Sequence, residues 1–149
     1  MNENKLLIWY KQIIHEQNRK NGFPLSITDI AELLGDISKS YIRLIVMNLF
    51  LAGLCEIKLK RNSDKKTHLV SARMIPATDA ALREAIREVA KTKKTLAIQY
   101  TEFGVFYGTF FDENNENTIV VKWADLKERI TEKWLFMKKA QKDSQKKML

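Results

Sequence analysis

The chain has 149 residues, 45% of them hydrophobic, and a formal net charge of +8 at pH 7. This length and composition fit one globular domain, or a small domain with an elaborated second half. The positive surplus suits a polyanionic partner such as nucleic acid. The single cysteine, Cys55, excludes an intramolecular disulfide and a cysteine-based zinc site.

Segments that would direct the chain to a membrane or out of the cell are not found in the sequence. The N-terminus has none of the basic, apolar and small-residue regions of a signal peptide. The longest apolar run, Leu44 to Cys55, spans 12 residues and includes Asn48, whereas a membrane helix needs about 20. We therefore expect a soluble, cytoplasmic protein with no membrane partner.

Two helices are predicted at the start of the chain. Over residues 5–17, apolar side chains recur at helical spacing with Lys11, Gln12, Glu16 and Gln17 between them. The turn residues Asn21-Gly22-Phe23-Pro24 end this helix. Ser26 or Thr28 is then the N-cap of a short second helix that runs to about Leu34.

A third helix and a β-hairpin follow. Ser38 is the N-cap candidate for a helix from Lys39 to about Ala52, which Gly53 ends. After Gly53 the apolar residues recur at every second position, so that residues 54–61 and 69–75 are predicted to be paired strands. The polar, basic segment between the strands is predicted to be the tip of the hairpin.

The second half begins after Pro76. Thr78-Asp79 caps a fourth helix over residues 80–91, and two stretches rich in β-branched residues, 95–111 and 118–123, follow. An acidic loop joins the two stretches, and a long helix starts near Ala124. The sequence thus predicts an α+β protein.

The segment Ile30-Ala31-Glu32-Leu33-Leu34-Gly35-Asp36-Ile37-Ser38 resembles the first helix and turn of bacterial regulators of the winged helix-turn-helix superfamily. Ala31 would lie where the helices cross, Gly35 in the turn, and Ile37 would be the apolar plug. The resemblance covers roughly residues 5–75, includes Leu49, Ala52-Gly53-Leu54 and Glu56-Ile57, and identifies no subfamily. It implies a winged helix-turn-helix DNA-binding domain over residues 1–76. Residues 77–149 would be an α+β extension, made of a helix, a β-hairpin and a long C-terminal helix, that serves oligomerisation and ends in a basic tail.

The resemblance implies two groups of residues that contact double-stranded DNA. The first opens the recognition helix, namely Ser38, Lys39, Ser40, Tyr41 and Arg43. Arg43 is the candidate to bind the edge of a guanine, and Lys39 is the candidate to bind a phosphate. The second is the wing tip, namely Arg61, Asn62, Ser63, Lys65, Lys66 and His68. The alternatives are that Ser38 is only a cap, and that Arg43 and the tip are only solvated charges.

The recognition helix departs from the superfamily pattern because residues 41–51 are apolar nearly all round. Its own domain core needs only Ile42, Val46 and Leu49. Either the second half of the chain or another subunit must cover the rest, namely Leu44, Met47, Phe50 and Leu51. We therefore expect DNA contacts only from the first turn and the wing, and a homodimer that binds a palindromic or repeated site.

No motif for an enzyme, a cofactor or a metal site is found, and Asp112, Glu113 and Glu116 lack EF-hand spacing. The predicted function is that of a nucleoid-associated protein that binds DNA sequence-specifically, above all a transcriptional regulator. A gene on a mobile element is one setting for such a regulator. A plasmid partition or replication protein would use the same fold, and a winged-helix module that binds protein is the alternative from another class. The sequence does not identify an effector.

Overall fold

The computed structural model of the protein describes residues 3–35, 37–64, 66–91, 111, 117–125 and 128. Its helices there are α1 (Glu3–Arg19), α2 (Ile27–Leu33), α3 (Lys39–Leu51) and α4 (Asp79–Lys91), and residues 123–125 are also helical. Its strands are β1 (Leu25–Ser26), β2 (Cys55–Arg61), β3 (Thr67–Met74) and β4 (Thr118–Val121). The α+β class predicted from the sequence is confirmed.

The strands form a single antiparallel sheet in the order β1-β3-β2-β4. One face of the sheet is buried, as the alternating exposure along β2 shows. A register shift between Lys58 and Leu59 marks an irregularity in the β2–β3 pairing. Because β4 pairs along the edge of β2 that β3 leaves free, β2 is an interior strand of the sheet.

The turn residues that the sequence indicated set the helix boundaries. The backbone N–H of Asp29 donates to Ser26 Oγ at 3.0 Å, so Ser26 rather than Thr28 caps α2. Thr78 likewise accepts from the N–H of Ala81. Gly53 follows α3 with a φ of +76°, a left-handed conformation that lets the chain turn directly into β2.

The end of α1 is fastened to the end of β3 by a buried glutamine. Gln17 Nε2 donates to the carbonyl of Met74 at 3.0 Å, and the N–H of Met74 donates to Gln17 Oε1 at 2.7 Å. The sequence pattern grouped Gln17 with the polar residues between apolar positions, but its side chain is buried. The hydroxyl of Tyr10 also donates to the carbonyl of Ile75, which ties α1 to the chain just after β3.

The surplus apolar side chains of α3 are covered within the chain. Met47, Phe50 and Leu51 are buried, and Phe50 makes an edge-to-face contact with Trp123 at 5.8 Å between ring centroids. Leu82, Ile86 and Val89 of α4 belong to the same hydrophobic core, as do Phe111, Ile119 and Val121. The second half of the chain therefore contributes to covering α3, and Leu44 alone of the four surplus residues stays exposed.

The predicted strand over 95–111, the acidic loop over 112–117 and the long C-terminal helix lie mostly outside the described residues. So does the basic tail, and the division into domains at residue 76 stays a prediction. Among the described residues, no helix combines the length and the apolar character needed to cross a bilayer.

Candidate nucleic-acid interface

The first turn of α3 is capped and exposed. Ser38 Oγ accepts a hydrogen bond from the N–H of Tyr41 at 3.3 Å, as the sequence predicted for an N-cap. Lys39, Ser40 and Arg43 all lie exposed beyond this cap. The first N–H groups of a helix have no acceptors within the helix and carry its positive dipole end. The start of α3 is therefore a polar surface with two cations.

Tyr41 is held in place by α1. Its ring packs edge-to-face against Trp9, with 6.0 Å between the ring centroids and an interplanar angle of 85°. The side chain is still 38% exposed, so one side of the ring faces solvent while the other packs on α1. This contact fixes the start of α3 against the first helix.

The rest of α3 is closed to any outside partner. From Ile45 to Leu51 every residue except Asn48 is buried. The amide of Asn48 donates to the carbonyl of Leu44 one turn earlier, at 2.7 Å. The first turn, Leu44, which is 41% exposed, and the partly exposed Asn48 are the open positions of α3.

The tip of the β2–β3 hairpin is closed by short-range hydrogen bonds. The N–H of Asn62 donates to the carbonyl of Lys66 at 3.0 Å, and the N–H of Lys66 donates to Asp64 Oδ1 at 3.1 Å. Asn62, Ser63, Lys66 and His68 are exposed around this turn, whereas Lys65 lies outside the described residues. The carboxylate of Asp64 thus serves the turn itself.

Arg61 differs from the other tip residues because it packs against the second half of the chain. Its guanidinium lies over the ring of Phe111, with 5.9 Å from Cζ to the centroid. Its backbone N–H donates to the carbonyl of Asn117 at 2.8 Å. The sequence placed Arg61 at the tip, but its side chain is only half exposed at the root of the tip.

Sequence reasoning gave no role to the exposed lysines of the sheet. Lys58 and Lys60 alternate with the buried residues Ile57 and Leu59, so both lie on the solvent face of β2. Lys122, directly after β4, is exposed as well. Their alternation with apolar residues was the available signal, but only the pairing of β2 with β4 brings the three lysines together.

The pKa shifts of the ionisable groups have structural causes. Burial raises the pKa of the Cys55 thiol, whose Sγ contacts the carbonyl of Val46 at 3.7 Å. Burial also raises the pKa of Tyr10. The hydrogen bond from Arg73 Nε to Glu56 Oε1, at 2.6 Å, raises the pKa of the Arg73 guanidinium. Within the described part of the chain, no three His, Cys, Asp or Glu residues are grouped so as to hold a metal ion.

Comparisons of this chain with protein-family models, with curated proteins and with solved structures found no match.

Proposed function

We propose that this protein is a winged helix-turn-helix protein that binds double-stranded DNA sequence-specifically, as a transcriptional regulator does. In this proposal α2 and α3 are the helix-turn-helix and β2 with β3 is the wing. The observation that carries it is the first turn of α3, which is capped and exposed and presents Lys39 and Arg43 while the helix behind it is buried.

The chemistry of this turn suits the major groove. Arg43 carries a planar fork of donors that can bond O6 and N7 of one guanine together, whereas Lys39 is a point charge suited to a phosphate. The backbone N–H groups and the dipole at the start of α3 favour the same anions. Ser38, Ser40 and Tyr41 offer hydroxyl groups that can donate to phosphate oxygens.

The tip of the hairpin would supply phosphate contacts that carry no sequence information. Asn62, Ser63, Lys66 and His68 are exposed there and provide charged or neutral donors. The contact between Arg61 and Phe111 supports a different role for this arginine, that of holding the tip at a fixed angle against the second half. The proposed wing therefore binds through its turn rather than through its root.

The observations favour DNA over the protein-binding module. Such a module would dock through the apolar side of α3, but Met47, Phe50 and Leu51 are buried within the chain. The same burial removes the part of the homodimer hypothesis that rested on α3. Within the described residues, the exposed apolar side chains left for a dimer contact include Leu44, Ile8 and Phe23.

The test is retention of genomic fragments by the protein at low salt, followed by substitution of the two proposed contact groups. Arg43→Ala should relax the sequence preference, at a cost of about 1–3 kcal/mol at one base pair. Lys65→Ala together with Lys66→Ala should weaken binding to all sequences alike. Arg83→Ala, an exposed arginine on α4, is the matched control and should change neither property.

If no fragment is retained at low salt, the DNA proposal fails. If fragments are retained, their positions assign the role. Sites beside promoters would indicate a regulator, and arrays of repeats on a plasmid would indicate a partition or replication protein.

A further inference from the structure

The solvent side of the sheet carries a group of basic residues of which the proposed function uses only His68. We call it the basic sheet face and define it by Lys58, Lys60, His68 and Lys122, all of which are exposed. The register places these residues together. Lys60 lies opposite His68 on one side and Thr118 on the other, and Lys58 lies opposite Ser71 and Val120.

The spacing within this face follows from strand geometry. Lys58 and Lys60 are two residues apart on the central strand, which separates their Cα atoms by about 7 Å. Lys122 continues the alternation of β4, in which Ile119 and Val121 are buried and Val120 is exposed. Duplex DNA carries a charge about every 3.4 Å along each strand, so adjacent lysines at this spacing can reach separate phosphates.

The charge of the face is not balanced by acidic groups. Glu56 is the one acidic residue in β2, β3 and β4, and its carboxylate is bound to Arg73 at 2.6 Å. Within the described residues, no ion pair involves Lys58, Lys60 or Lys122. Surfaces that only need to be soluble usually intersperse both signs of charge, so a lysine-rich face whose one strand carboxylate is already paired with Arg73 points to an anionic ligand.

The face is continuous with the tip of the hairpin. His68 belongs to both, since it pairs with Lys60 in the sheet and follows the exposed Lys66 along the chain. Val120 lies among the lysines and is 59% exposed, and the residues that define the face include no arginine with its rigid fork of donors. Flexible ammonium groups on an open surface suit a repeating backbone of phosphates, and they do not suit one defined acidic side chain.

We propose that the basic sheet face binds the phosphate backbone of duplex DNA next to the segment that α3 reads. This inference rests on the proposed function, because it assigns the neighbouring stretch of the same DNA molecule to a second surface. The bound duplex would then extend past the tip of the hairpin along the solvent side of the sheet. These contacts add affinity and salt dependence without adding sequence preference.

The direct test is the acetylation of lysines by an amine-reactive ester, with and without a mixed-sequence duplex of about 30 base pairs, three helical turns. Mass spectrometry then gives the modification at each lysine. We expect the duplex to protect Lys58, Lys60 and Lys122 along with Lys39 and Lys66. Lys5 and Lys20 on α1, which are also exposed, should react equally in both samples.

The outcomes separate the two proposals. Protection of Lys39 and Lys66 without Lys58, Lys60 and Lys122 would overturn the second surface and leave the proposed function intact. Protection of no lysine would refute the proposed function, and the second surface with it.

A substitution series checks the same inference by affinity. Replacing Lys58, Lys60 and Lys122 with Gln should make the slope of log K against log salt shallower by about 2–3, because each phosphate contact contributes about 0.9. The control replaces Lys5, Lys20 and Lys91 with Gln, which removes the same charge from other exposed positions. Equal slopes for the two triple variants would contradict the proposal.

Discussion

Replacing Gln17 with Leu should destabilise the protein more than any other exchange of one polar side chain on α1. The carboxamide of Gln17 bonds both the N–H and the carbonyl of Met74, at 2.7 and 3.0 Å, and Gln17 is 3% exposed. Leucine has a similar size but no polar atoms. The variant would therefore leave two backbone groups of β3 buried without partners.

The expected loss follows from the cost of those two groups. A buried polar group that loses its partner costs about 1–3 kcal/mol, while the added apolar burial of leucine returns about 1–2 kcal/mol. The free energy of unfolding should fall by about 2–4 kcal/mol, against about 5–15 kcal/mol for a typical domain. With a urea m-value of about 2 kcal/mol/M, the midpoint of unfolding should fall by about 1–2 M.

The measurement is urea unfolding followed by circular dichroism, with Gln12→Leu as the matched control. Gln12 is exposed on the same helix, and the same chemical change there should alter stability by no more than about 0.5 kcal/mol. If Gln17→Leu unfolds at the same urea concentration as Gln12→Leu, the two hydrogen bonds to Met74 do not stabilise the fold as described.

Two further predictions concern Cys55 and Ser38. Because burial raises the pKa of Cys55 above its ordinary value of 9.0, the native state keeps the thiol proton while the unfolded state releases it. The contribution of the Cys55 thiol to the free energy of unfolding should therefore be fully present below pH 9.0. Above pH 9.0 the free energy of unfolding should fall by up to about 1.4 kcal/mol per pH unit. In urea titrations Cys55→Ala should lack this part of the slope, and an unchanged slope would contradict it. Ser38→Ala should lose about 1 kcal/mol of stability. Ser38→Asp should keep the cap yet bind DNA more weakly, since its carboxylate would face phosphates; unchanged DNA binding in gel shifts would count against the interface.

Features that depend on a few neighbouring residues were predictable from the sequence. Capping by Ser38 and the left-handed turn at Gly53 follow from local backbone chemistry, and both are found where the sequence placed them. The hairpin was also predicted, although β3 begins at Thr67 and the turn is therefore shorter than expected. Among the proposed DNA contacts, the exposure of Lys39 and Arg43 agrees with the sequence prediction.

Features that depend on distant pairing were not predictable. β1 has only two residues, too few to show a period. The role of Gln17 depends on the position of Met74, which lies 57 residues away in the sequence. The apolar surplus of α3 showed that a cover exists, but periodicity could not show that Trp123 and α4 provide it. The contact between Arg61 and Phe111 was not predictable for the same reason, because the two residues are distant in the sequence.

The pairing of β4 with β2 links the two halves of the chain thermodynamically. The second half completes both the sheet and the cover of Phe50, so the state in which α3 is packed is also the state in which β4 is docked. A ligand that binds only this docked state stabilises it by about 2.7 kcal/mol at a hundred times its dissociation constant. By reciprocity, the DNA of the proposed function, bound at the start of α3 in the docked state alone, would strengthen the binding of such a ligand to the same degree that the ligand strengthens the binding of DNA.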